Sequence, residues 1–205
     1  MHIQYSSCLF ALLLAACSRN ETVGPELSQP VETMTSTEYA VLFAVIDSLY
    51  DPTTVTQIVV QDSTTPEIYA YNLDSVLTTT LGYVRQTIPS LGVEAAGDFK
   101  TKNLVSSIVR DSASLHPKSR LLNTAIAWHI LRGDSGWSWN AFSLMYPGAH
   151  GFLSVGRVGI DKNGSQALAY VGSHPGSRSG AGFYFVLSFE NGKWKVVGRA
   201  LASVS

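Results

Sequence analysis

The most regular hydrophobic pattern lies in the last third of the chain, from Gly151 to Ser205. Leu153 to Asp161 reads as a strand, and Asp161-Lys162-Asn163-Gly164 as a tight hairpin whose Asn-Gly pair suits a type I′ turn. Gln166 to Val171 gives a second strand, followed by a nine-residue loop, Gly172 to Gly180. Phe183, Phe185, Leu187 and Phe189 then alternate on one face of a third strand. Asn191-Gly192 makes another tight turn into a last strand, where Trp194, Val196 and Leu201 point inward and Lys193 and Lys195 outward. Four antiparallel strands of this kind bury one face against helices.

Upstream the apolar period changes to that of a helix. Thr35-Ser36-Thr37-Glu38 has the form of a capping box. Tyr39, Leu42, Phe43, Ile46, Leu49 and Tyr50 follow as a stripe, and Asp51-Pro52 ends it. Val55 to Gln61 is short and β-branched, hence a strand. Leu73, Val76, Leu77, Leu81, Val84 and Ile88 mark a second helix, weak by propensity because of its threonines and Gly82. Val93 to Asn103 predicts a short helix, while 120–131 fits a strand or a helix by pattern, with a strand and then a turn of helix the favoured reading. Ser138 caps a further helix whose buried face is Trp139, Phe142, Leu144 and Met145. The expected fold is therefore α+β: N-terminal helices and one early strand packed on a C-terminal four-stranded antiparallel meander, with the helices on one face.

The N-terminus has a different character. Cys8 to Ala16 is apolar but shorter than the roughly 20 residues needed to span a bilayer. It has the form of a secretory h-region, although Met1 to Ser7 carries no Lys or Arg. Its end, Leu14-Ala15-Ala16-Cys17, resembles the lipobox of bacterial lipoproteins. The resemblance implies cleavage before Cys17, a diacylglyceryl group on that thiol, and anchoring in a membrane; Ser18 after it implies the outer membrane, facing the periplasm. Residues 1–16 are then a signal peptide, 17–34 a lipidated, polar, proline-punctuated tether, and 35–205 a single domain with its sheet core at about 151–205.

Cysteine usage fits that division. The only two cysteines are Cys8 and Cys17, so residues 18–205 contain no thiol for a disulfide, a metal or a nucleophile. The histidines lack metal-site spacing, and no metal or cofactor is expected. Net charge is −1 but unevenly spread: from Asn20 to Asp98 there are eleven acidic residues against Arg85 alone, while the basic residues concentrate beyond Phe99. Because those bases are scattered, mutual neutralisation by packing explains them better than a nucleic-acid surface does.

Chemistry-bearing candidates are few. Gly133-Asp134-Ser135-Gly136 copies the tetrapeptide around a trypsin-like nucleophile, with His129 just upstream. A triad is a geometry and not a tetrapeptide, and Asp-Ser-Gly most often makes a turn. Arg157 shares a strand face with Leu153 and Val155, so burial would oblige it to form a structural ion pair or to bind an anion. His174 and Arg178 lie on the glycine-rich loop; His150 and Tyr184 complete the candidate ligand or partner contacts.

Trp139-x2-Phe142, Tyr146-Pro147, Arg157-Val158-Gly159-Ile160, Gln166-Ala167-Leu168-Ala169-Tyr170, Gly180-x-Gly182-x-Tyr184 and Trp194-Lys195-Val196 resemble a group of uncharacterised exported bacterial proteins. Their pattern is W-x2-F…YP…G…LSRVGFN…QALVYV…CGxLCGxGxY…WKV. The resemblance implies a fold and carries no activity. Gly156 replaces the serine before the arginine, and Pro175 and Ser179 replace two cysteines of the loop. Two functions remain open: a membrane-anchored envelope domain binding a protein or small ligand, or filling a structural role, and an envelope hydrolase. The hydrolase requires His129, His150 or His174 within hydrogen-bond reach of a serine or aspartate.

Overall fold

In the computed structural model, the described residues are 33–51, 53–64, 73–133, 138–177 and 179–204. In chain order they form α1 (Ser36–Leu49), β1 (Gln57–Gln61), α2 (Leu73–Thr87), α3 (Val93–Lys102), α4 (Ser112–Leu115) and β2 (Ser119–Leu122). There follow α5 (Thr124–Arg132), α6 (Trp139–Met145), β3 (Ala149–Val155), β4 (Gly159–Ile160), β5 (Gln166–Gly176), β6 (Ser179–Glu190) and β7 (Lys193–Val204). The class is α+β, and β5, β6 and β7 form the antiparallel meander.

The sheet is wider than the meander. Its order is β2-β1-β3-β5-β6-β7, with the short β4 also on β5. The early strand β1 joins this sheet directly, parallel to both β2 and β3. Alternation along the strands divides the core. Ile58, Val60, Leu153, Val155, Ala167, Ala169, Phe185 and Leu187 face α1 and α4. The opposite parity carries Val59 and Phe152, packed on α5 and α6. It also carries Leu168, Tyr184 and Val186, packed on α2 and α3. Since Phe152 and His174 are register partners, these last two clusters share one face of the sheet. Helices thus cover both faces, not one as the meander alone predicts.

Local chemistry explains the elements. The capping box at Thr35 forms in full, with Glu38 Oε2 accepting the Thr35 N–H at 2.8 Å. In α2, Thr78, Thr79 and Thr87 donate their hydroxyls to the carbonyls four residues back. These bonds compete with regular helix, so the buried Leu77, Leu81 and Val84 hold α2 in place. Of the two readings the pattern leaves open for 120–131, the structure has a strand and then a helix, longer than a single turn, with the Asn123 side chain as N-cap and Gly133 (φ +70°) as left-handed C-cap. None of the helices among the described residues is long and apolar enough to cross a membrane.

Several boundaries differ from expectation. The first meander strand breaks at Gly156–Val158 into β3 and β4, because α3 lies directly on β4. A Cβ on Gly159 would collide with the Ala95 carbonyl and the Phe99 nitrogen, so only glycine allows that approach. Arg157 therefore lies in the break, not on a strand face. The nine-residue loop is absent: β5 runs to Gly176 and β6 starts at Ser179, with Gly176 paired to Ser179. Asn191 and Gly192 both have positive φ, as a type I′ turn requires, but at the first hairpin only Gly164 does. There the Asp161 carboxylate holds the turn by accepting from the Ser165 and Gln166 N–H groups. Leu144 and Met145 point away from the core, since a seven-residue helix buries little beyond Phe142 and half of Trp139. Leu201 pairs with Phe183 on the face that carries Trp194 and Val196, as predicted, but is 45% exposed.

The charge asymmetry is resolved by packing. Glu38–Arg157, Asp74–Lys100, Asp98–Lys102 and Glu94–Lys162 each join an acid of the first half to a base of the second.

Candidate functional site

Of the residues singled out in the sequence, Arg157 is the most thoroughly engaged. Its Nε donates to Glu38 Oε1 at 2.6 Å and Nη2 to Oε2 at 3.0 Å, while Nη1 donates to Ser107 Oγ at 3.1 Å. Its main chain is clamped by Asn103, which accepts the Arg157 N–H at 2.7 Å and donates to the Arg157 carbonyl at 2.8 Å. Both charged side chains are buried, 3% and 0% exposed. This is the structural ion pair that a buried arginine requires, and it ties the start of α1 to the β3–β4 break.

Tyr184 is a core residue, edge-on to Phe99 and tilted against Tyr170. His150 is exposed on β3, and His129 is exposed on α5. Cys17, Arg178 and Ser135 lie outside the described residues.

His174 is different. It sits on β5 at the margin between the α5–α6 cluster and the α2–α3 cluster, tilted over Phe152 with ring centroids 4.9 Å apart. Phe152 in turn stacks on Trp139 at 5.6 Å. The His174 Nε2 is 3.2 Å from Ser154 Oγ, two register positions further along β3 and on the same face. Burial pushes the His174 pKa below its ordinary value. The imidazole is therefore neutral near pH 7, and either it accepts the Ser154 proton or its N–H donates to Oγ.

A third polar atom completes the group. Gly172 is paired with Ser154, and a Cβ there would press on Ser154 Oγ while lying 3.2 Å from Tyr170 Oη and 3.4 Å from His174 Nε2. Gly182, next across the sheet, would place a Cβ 2.6 Å from the same Tyr170 hydroxyl. Two glycines within strands thus make room for a serine, a tyrosine and a histidine to converge over the sheet. Ser154 is almost buried, whereas His174 and Tyr170 are half-exposed, so the group is reached from their side. Trp139, at the far end of the aromatic stack, has a buried indole N–H without an acceptor.

Sequence reading finds His174 but misses Ser154 and Tyr170. Both look like ordinary strand positions, and only the β3–β5 register brings them to the imidazole. The available signal was Gly172 and Gly182, which break otherwise apolar strands.

What this group can do chemically is limited and definite. Hydroxyl, phenol and neutral imidazole all exchange hydrogen bonds without carrying charge. No carboxylate among the described residues raises the His174 pKa back, as a triad acid would. Nor is there a group of three or more His, Cys, Asp or Glu able to hold a metal among the described residues. Comparison of the chain with protein-family models, with characterised proteins and with solved structures yields no match.

Proposed function

We propose that this protein is a lipid-anchored envelope domain that binds a small, uncharged polar ligand at Ser154, Tyr170 and His174. The observation that carries the binding site is the convergence of three neutral hydrogen-bonding atoms on the space left by Gly172. Such groups on a rigid sheet orient a ligand by hydrogen bonds, while the buried Phe152, itself stacked on Trp139, backs the His174 ring and holds it in place. The anchor rests on Leu14-Ala15-Ala16-Cys17 in the sequence. Its consequence is direct: Cys17→Ser should move the protein from the membrane fraction to the soluble fraction, and unchanged membrane retention would count against it.

The Ser154–His174 hydrogen bond also favours a second reading, an envelope hydrolase with Ser154 as nucleophile and His174 as base. Two features argue for the first reading. Ser154 lies within a buried strand and not on an exposed turn, and the imidazole lacks an acidic partner among the described residues. Treatment with a fluorophosphonate, followed by mass spectrometry, separates the two. The binding reading expects no adduct on Ser154 and no turnover of p-nitrophenyl esters. An adduct on Ser154 that disappears in His174→Ala would establish the hydrolase instead.

A further inference from the structure

A cavity lies on the face of the sheet opposite His174, between α1 and the tips of the two hairpins. It is an open groove of about 1030 Å³. Tyr39 and Phe43 line the α1 side, and Phe189 and Trp194 the β6–β7 side. Asp47 and Lys193 stand on the same two walls, one charge on each.

These aromatic rings are held in place without a ligand. The Tyr39 hydroxyl accepts the N–H groups of Arg110 and Asp111 at 3.1 and 3.3 Å. Phe43 stacks on His116 with centroids 5.6 Å apart, and Phe189 leans on Trp194 at 5.1 Å. Phe43 and Phe189 nevertheless remain 38% and 46% exposed. Large rings fixed in one orientation and left in water form a prepared surface, because binding there costs little side-chain entropy.

We propose that this groove binds a neutral oligosaccharide. The aromatic faces are electron-rich, and the axial C–H groups of a pyranose ring form an apolar, weakly positive face that stacks on them. The remaining sugar surface is hydroxyl, which both donates and accepts. The Asp47 carboxylate accepts such bonds and the Lys193 ammonium donates them, from opposite walls. Their charges cancel, so the groove matches an uncharged ligand better than an ionic one. Its volume is at the upper end of ordinary small-molecule sites, about 300–1,000 Å³. Trp194 and Lys193 belong to β7, an edge strand of the sheet, so a peptide is the competing occupant.

The test is calorimetric titration of the purified protein with maltotriose, cellotriose and chitotriose. At least one trisaccharide should bind saturably. Phe189→Ala should weaken it about tenfold or more, as truncating a central aromatic contact does. Lys193→Gln and Asp47→Asn should each weaken it less. Phe189 is exposed, so its truncation leaves the core intact, and a native thermal melt of the variant confirms that. Failure of all three trisaccharides to bind would overturn the proposal. So would binding that Phe189→Ala leaves unchanged, or a polyproline peptide that displaces the bound sugar with higher affinity. Ser154→Ala, on the other face of the sheet, should leave sugar binding untouched.

Discussion

Removing the Arg157 side chain would leave the Glu38 carboxylate buried with only the Thr35 N–H and Glu38's own surroundings to stabilise it. Arg157→Ala should therefore cost about 3–5 kcal/mol in urea denaturation, the usual result of orphaning a buried charge. The double variant Glu38→Leu, Arg157→Met should lose much less, since it removes both charges and keeps the volume. Its remaining cost is the capping contact at Thr35, about 1 kcal/mol. His174 makes the other prediction at this scale. Its pKa in the folded protein lies below the ordinary histidine value of about 6.5, so protonation favours the unfolded chain. Stability should be fully present above about pH 6.5 and fall as pH drops toward the folded pKa. His116, likewise lowered by burial and only partly offset by Asp47, adds to the same trend. Denaturation at pH 7.5 and 5.5 should show a smaller difference in His174→Asn than in the parent.

At the scale of elements, the glycines separate positions that matter from positions that do not. Gly159→Ala must push α3 off β4, so we expect a loss of about 1–3 kcal/mol in chemical denaturation. Gly82 lies in α2 with open space around it, and Gly82→Ala should gain about 0.5–1 kcal/mol in the same assay. The capping box, the helix periods and the Asn191-Gly192 turn were legible because each is decided by residues close in sequence. The reach of β5 and β6 through Gly172–Gly180 was not, because glycine and serine carry no strand signal of their own. Pairing across the ladder ordered them. Arg157 shows the same limit. Its need for a partner follows from its surroundings, but Glu38 is 119 residues away and already looked committed to a helix cap.

The whole molecule is a mixed sheet between two layers of helices, and its two candidate sites lie on opposite faces. On one face Ser154, Tyr170 and His174 lie between the α5–α6 and α2–α3 clusters; on the other, α1 and the hairpin tips hold an aromatic groove. The parallel addition of β1 and β2 to the sheet was invisible to local pattern, since both are short and lie far from β3 in sequence. Yet that addition creates the α5–α6 layer and with it the margin where His174 sits. The binding reading is tested most directly by a nuclear magnetic resonance titration read at the His174 and Tyr170 side chains. The probes are small neutral amides and alcohols, added to the parent domain and to Tyr170→Phe. The account predicts saturable shifts of both side chains with some of these probes, and their weakening in Tyr170→Phe. Side-chain resonances that stay fixed with every probe, or shifts that persist unaltered in the variant, would contradict it.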